Sequence, residues 1–333
     1  FTAIQHASKA GWSVNIRRFM EAFSWYIPVG CLTAFALIFS GDALYDWFNP
    51  QTVQEDYLLR KKSAYLNWIF FVVRLVIFSG IFIGFSRWLV RLSLEQDRTG
   101  QESLTHKSVK ISVAFLICFA LGFTFFTVDT VMSLEPHWFS TIFGVYCLAG
   151  LMQAFTAALI LVLIYMIRQG VFQNLVNENH LHDLGKFLLG FTAFWAYIAF
   201  SQYMLTWYAN LPEEAIYYLP RSQGDWLWVS LFLGVFKFIV PFLFLLPRWV
   251  KRDQGAMIII SILILIMEYV DIYWMVYPSY DKENIHFGLL EVSLLVGFIS
   301  LFLYVVFHFL SRYPLIPVQD PREGESSRHK VTY

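Results

Sequence analysis

Eight stretches of this chain are long and apolar enough to cross a bilayer, and that repetition constrains the fold more than any single motif. A crossing helix needs about 20 mostly apolar residues, because the hydrocarbon core is about 30 Å thick. The stretches fall at 19–40, 64–89, 109–132, 141–167, 187–208, 226–246, 256–277 and 287–310. Inside hydrocarbon every backbone N–H and C=O must be bonded within its own segment, so each stretch predicts a helix. Residues 1–310 therefore read as an all-α polytopic transmembrane helix bundle. Composition agrees: 14% of the 333 residues are charged, against about 25% in soluble domains. Residues 311–333 are polar and poorly patterned, and read as a cytoplasmic tail, docked or unordered. The chain opens at Phe1, so the numbering is expected to begin inside a longer polypeptide.

The basic residues give the predicted topology. Most fall on the side of the N-terminus, from Lys9, Arg17 and Arg18 to Arg312, Arg322 and Arg328. The other side holds Arg60, Lys61, Lys62, Arg221 and Lys282. The positive-inside rule then puts both ends in the cytoplasm. Pro28 and Pro241 lie inside predicted spans, where each is expected to kink its helix.

The same counts exclude several functions. Net charge is zero, so nothing marks a nucleic-acid surface. Cys31, Cys118 and Cys147 lie in apolar segments with no CxxC, which leaves no metal, iron–sulfur or c-type haem site. Of the histidines only His308 is clearly inside a span, so no b-type haem is expected. The chain is expected to bind no cofactor of its own.

Charges at membrane depth carry the chemistry. Each costs at least about 2.5–3.5 kcal/mol, so it needs a partner or a task. Arg74, Lys237 and Glu268 are expected near mid-membrane and Asp271 one turn further out. Asp129, Glu135, His137 and Glu291 are expected at the outer end, Glu21 and His308 at the inner end. Glu268 and Asp271, three apart, share a helix face. Such a set suits a proton relay, with Tyr197, Ser201, Tyr203 and Thr206 as bridging hydroxyls. It equally suits buried ion pairs in which Arg74 and Lys237 neutralise Glu268 and Asp271. Gln202 and Tyr203 are weak candidates for a quinone carbonyl, or for helix–helix hydrogen bonds. Ser140 is placed to cap the fourth span, and Asp183 the fifth.

Two motifs narrow the reading: SLEPHWFSTIFGVY from Ser133, and HDLGKFLLGFTAFWAYIAFSQYMLTWYANLPEE from His182. They resemble the NrfD-like membrane subunits of bacterial alternative complex III, a quinol:cytochrome c oxidoreductase. The likeness is strongest from Lys107 to Glu214, and Trp12 and Arg17–Arg18 also fit. It implies two four-helix units plus extra helices, ten in all, in the bacterial inner membrane. It implies as partners a sister NrfD-like subunit, a multihaem cytochrome c subunit, an iron–sulfur subunit and small membrane subunits. The c-type haems and iron–sulfur clusters would sit in those other chains. Such a subunit is expected to conduct protons and scaffold the complex. A quinone pocket of its own and a purely structural anchor remain the alternatives.

Overall fold

The computed structural model describes residues 1–172 and 175–330, and among them there is no β-strand. Eight helices are long and apolar enough to span a membrane. They are α1 Val14–Phe39, α2 Trp68–Thr99, α3 Glu102–Leu134, α4 Phe143–Arg168, α5 Glu178–Ala209, α6 Gly224–Leu245, α7 Gln254–Ser279 and α8 Leu289–Arg312. The chain is thus a multi-pass helical bundle. Successive helices alternate in direction, so both ends of the chain share one face, here the N side. The loops before α2, α4, α6 and α8 share the far side.

Several helices outrun their apolar stretches. The helix of α2 has 32 residues, about 48 Å at 1.5 Å per residue, and continues ten residues past Leu89. It begins at Trp68, four residues later than expected, so Arg74 lies in its second turn, nearer the far side than expected. In α5 the first turn is Glu178, with the Asn177 side chain accepting from Asn179 N–H at 2.9 Å. Asp183 lies further along that helix and is not its cap. Span α1 is broken. Val14–Ser24 ends before Trp25, and Pro28 sits in the first turn of the next piece, Ile27–Ala34. Proline disfavours helical backbone in the residue before it, so it starts a segment here and does not kink one.

Helices α4, α5, α6 and α7 close into a ring: α4 packs on α5 and α7, and α6 packs on the same two. The remaining spans lie to one side. Helix α3 joins α2 to α4, and α1 lies against α2, α4 and α8. Apolar area drives little association within lipid, so close packing at small residues matters more. Ala149, Gly150 and Ala157 bring the neighbours close to α4.

The tail docks on the N side. Arg17 pairs with Asp320, Ser326 Oγ donates to Trp12 O at 2.7 Å, and His329 Nε2 lies 2.7 Å from Asp183 Oδ2. Residues 331–333 of the tail lie outside the described residues.

Candidate functional site

The ring of α4–α7 encloses three ionisable side chains at mid-span. Lys237 of α6 has no exposed surface; its Nζ donates to Glu268 Oε2 at 2.7 Å and to Asp271 Oδ2 at 2.5 Å. Both carboxylates come from α7, where the i, i+3 spacing turns them to one face. The local backbone of α6 is unusual. Gly234–Ile239 forms a π-helical turn, and Pro241 opens the α-helical segment that follows it. Proline brings no N–H to the ladder, and π turns widen a helix locally, often at functional positions. Lys237 sits in this turn.

The groups around the triad come from α4 and α5. The Tyr146 hydroxyl donates to Asp271 Oδ1, and Trp195 Nε1 donates to Oδ2 at 3.1 Å. The Lys237 ammonium lies 4.5 Å from the centre of the Trp195 ring, a cation–π distance. Toward the N side, Gln153 Nε2 donates to Thr192 Oγ1 at 2.9 Å and to the Lys237 carbonyl at 3.4 Å. The side-chain oxygens of Gln153 and Ser261, also buried, accept or donate no hydrogen bond to protein. Asp271 accepts three hydrogen bonds, from Tyr146, Trp195 and Lys237, whereas among the described residues Glu268 accepts one, from Lys237.

Toward the far side, Tyr146 and Trp195 form part of the wall of a cavity of about 620 Å³ between α5 and α6. Its polar lining includes Gln202, Tyr203, Tyr218, Arg221 and Ser230. Gln202 Nε2 donates to the Tyr218 hydroxyl at 2.9 Å, and its Oε1 accepts from Ser140 Oγ at 3.2 Å. Ser140 thus serves Gln202 and does not cap α4, which begins without a side-chain cap. Arg221, which composition placed in an outer loop, is fully buried. Its guanidinium donates to the carbonyls of Tyr217, Trp274 and Met275 and pairs with Glu135 at 2.9 Å.

The other expected residues are scattered. Arg74 grips Asp129 with two bonds, 2.7 and 3.0 Å, and donates to Tyr65 O. The pair joins α2 to α3, and Arg74 neutralises neither Glu268 nor Asp271. Glu135 joins Arg221, and His137 lies 2.6 Å from Asp56 Oδ2. Glu291 accepts from Gly288 N–H and Tyr277 OH at the start of α8. The four residues expected to form one outer end are therefore held in separate pairs. Glu21 pairs with Arg18 at 2.6 Å, and His308 stacks on Tyr304. Of the four bridging hydroxyls, Tyr197 is 65% exposed on the outer surface and cannot bridge within the ring. Thr206 donates back to the Gln202 carbonyl, and Tyr203 lines the cavity. Ser201 is half-buried.

The hydroxyl that does reach the triad, Tyr146, was missed. Its signal was present: Tyr146, Gly150 and Gln153 recur at i, i+4 and i+7 along an otherwise apolar helix, one face of α4.

Fold and site together define a multi-pass helical membrane protein with a buried charge network at mid-span. No family model and no curated protein matches the chain.

Proposed function

We propose that this chain is the proton-conducting, scaffolding membrane subunit of a quinol-oxidising respiratory complex. The sequence resemblance suggests the second NrfD-like subunit of alternative complex III, ActF. The observation that carries proton conduction is Lys237, wholly buried and shared between Glu268 and Asp271. Two carboxyls face one ammonium, so the group is neutral only with one further proton on board. Neutrality is strongly favoured at this depth. Glu268, held by fewer bonds than Asp271, is the carboxyl that gains and loses that proton. Gln153, Thr192 and Ser261 offer polar groups on the N side of it. Lys237 gives a proton to Asp271 as it takes the one on Glu268, and Tyr146, which lies on Asp271 and in the cavity wall, takes that proton from Asp271 as its own is released to the cavity.

The test is proton release per quinol oxidised, in vesicles holding the assembled complex, for Glu268→Gln and Asp271→Asn. Assembly and electron-transfer rate are followed in the same samples. A fall in proton yield with assembly intact supports conduction. Unchanged yield in both variants leaves the scaffold alone.

The cavity favours a second reading. Its size lies in the range of small-molecule sites, mostly apolar with a few convergent polar groups. A quinone head group in this cavity, against the hydrogen-bonded Gln202 and Tyr218, would share its walls with Tyr146, one hydrogen bond from Asp271. A photoreactive quinone labelling α5 or α6 would support it; labelling confined to other subunits would remove it.

A further inference from the structure

The far side carries few cations, and three of them are consecutive: Arg60, Lys61 and Lys62, on the short helix Tyr57–Lys62. Four contacts hold this helix in place. Asp56 caps it, accepting from Leu58 N–H at 2.8 Å and Leu59 N–H at 3.1 Å. The same carboxylate meets His137, and the Leu59 side chain is buried. Lys62 Nζ donates to Pro136 O at 2.6 Å. The helix is thereby fixed to the turn between α3 and α4, which adds Phe139, 56% exposed, to the same surface.

What remains outward is Tyr57, Leu58, Arg60, Lys61 and Phe139. Among the described residues no carboxylate pairs with Arg60 or Lys61; both lie over the Tyr57 ring, at 6.0 and 4.7 Å. This is a rigid basic and aromatic platform on a face whose loops are otherwise acidic, with Asp42, Glu213, Glu214, Asp225 and Glu283. Exposed aromatic and arginine side chains on a fixed support are the residues that anchor protein interfaces. A lipid-surface helix would instead need a broad apolar face to insert; here Leu59 is committed to the protein interior and the helix is six residues long.

We infer that this platform docks an acidic surface of a second polypeptide on the far side of the membrane. The inference does not rest on proton conduction.

The test is zero-length carbodiimide coupling in native membranes, which joins a lysine amine to a carboxylate in contact with it, read by mass spectrometry. Lys282, an exposed far-side lysine in the loop between α7 and α8, is the internal control. The expected product links Lys61 to an Asp or Glu of another polypeptide, at several times the yield found at Lys282. Raising salt from about 0.1 to about 1 M shortens the Debye length from about 10 to about 3 Å and should cut the yield several-fold. Arg60→Glu leaves the Lys61 amine in place and should abolish the product; Arg60→Gln, which cannot introduce repulsion, should weaken it. Links from Lys61 only within its own chain or to a lipid carboxylate would overturn the proposal. So would a yield no higher than at Lys282, or one that neither salt nor the Arg60 variants change.

Discussion

Gly150 on α4 makes room for Glu268 on α7: a β-carbon at position 150 would lie 2.6 Å from Glu268 Oε1. The carboxylate approaches Lys237 across the bare backbone of a neighbouring helix. The small residue and the charge form one device, since a larger residue there would displace the group that Lys237 must meet.

Gly150→Ala should therefore disturb the site without removing any charge. In a helix interior alanine is favoured over glycine by about 1 kcal/mol, so the substitution should not unfold α4. It should push Glu268 away from Lys237. The expected outcome is an assembled complex with proton yield lowered as in Glu268→Gln, and Gly150→Val should be worse. Full yield in Gly150→Ala would show that the distance between Glu268 and Lys237 does not govern conduction.

Tyr146→Phe keeps the ring and removes the donor to Asp271. A hydrogen bond to a charged group contributes about 1.5–3 kcal/mol, so a modest loss of thermal stability is expected. Trp195→Phe removes a second of the three donors to Asp271 and part of the cation–π contact, with a similar loss. Only Tyr146 has a proton to pass on. Proton yield should fall in Tyr146→Phe and hold in Trp195→Phe, measured in the same vesicles. Equal yields in the two variants would make Tyr146 a structural ligand of Asp271 only.

The spans were legible because hydrocarbon imposes one rule on every segment, and apolar runs record it directly. Their ends were not. The polar turns by which α2 and α5 outrun their apolar stretches carry no hydropathy signal, and a start expected at 64, four residues before the helix begins at Trp68, set Arg74 too deep in its span. The Glu268 and Asp271 pair was legible from its spacing alone, because i, i+3 fixes a shared face whatever the helix packs on. Partners across helices were not, since the sequence orders helices along the chain and not around a ring. Tyr146, Trp195 and Lys237 meet Asp271 only because α4, α5 and α6 all border α7 or its neighbours. Arg221 looked like a loop cation because its burial comes from carbonyls at the end of α7, which no side-chain pattern announces.

Arg74 and Asp129 should behave as a structural pair. Removing one partner of a buried ion pair costs about 3–5 kcal/mol, because the other charge is left unpaired, whereas removing both often costs less. Arg74→Gln and Asp129→Asn should each lower the unfolding temperature in detergent more than the double variant does. Proton yield should be unchanged in whatever fraction assembles, because the pair lies between α2 and α3, apart from the Lys237 network. Additive stability losses would contradict the pairing; a lost proton yield in the double variant would bring the pair into the relay.

His6 should make docking of the N-terminal segment acid-sensitive. It lies in the helix Thr2–Ala7 with 3% of its surface exposed, and neither ring nitrogen has a hydrogen-bond partner. Burial pulls its pKa from 6.5 down to about 3; the Arg17 and Arg322 guanidiniums add to that, and Asp320 opposes it. The undocked imidazole binds a proton below about pH 6.5, and the docked one resists it down to about 3. Between those values the undocked state carries more protons, so docking weakens as pH falls, and the contribution is fully present above about 6.5. Hydrogen exchange across residues 2–12, corrected for the intrinsic pH dependence, should show protection dropping between pH 7 and pH 5. His6→Leu, which cannot charge, should flatten that drop. Protection independent of pH in the wild type, or an equal drop in His6→Leu, would assign the acid response to another group.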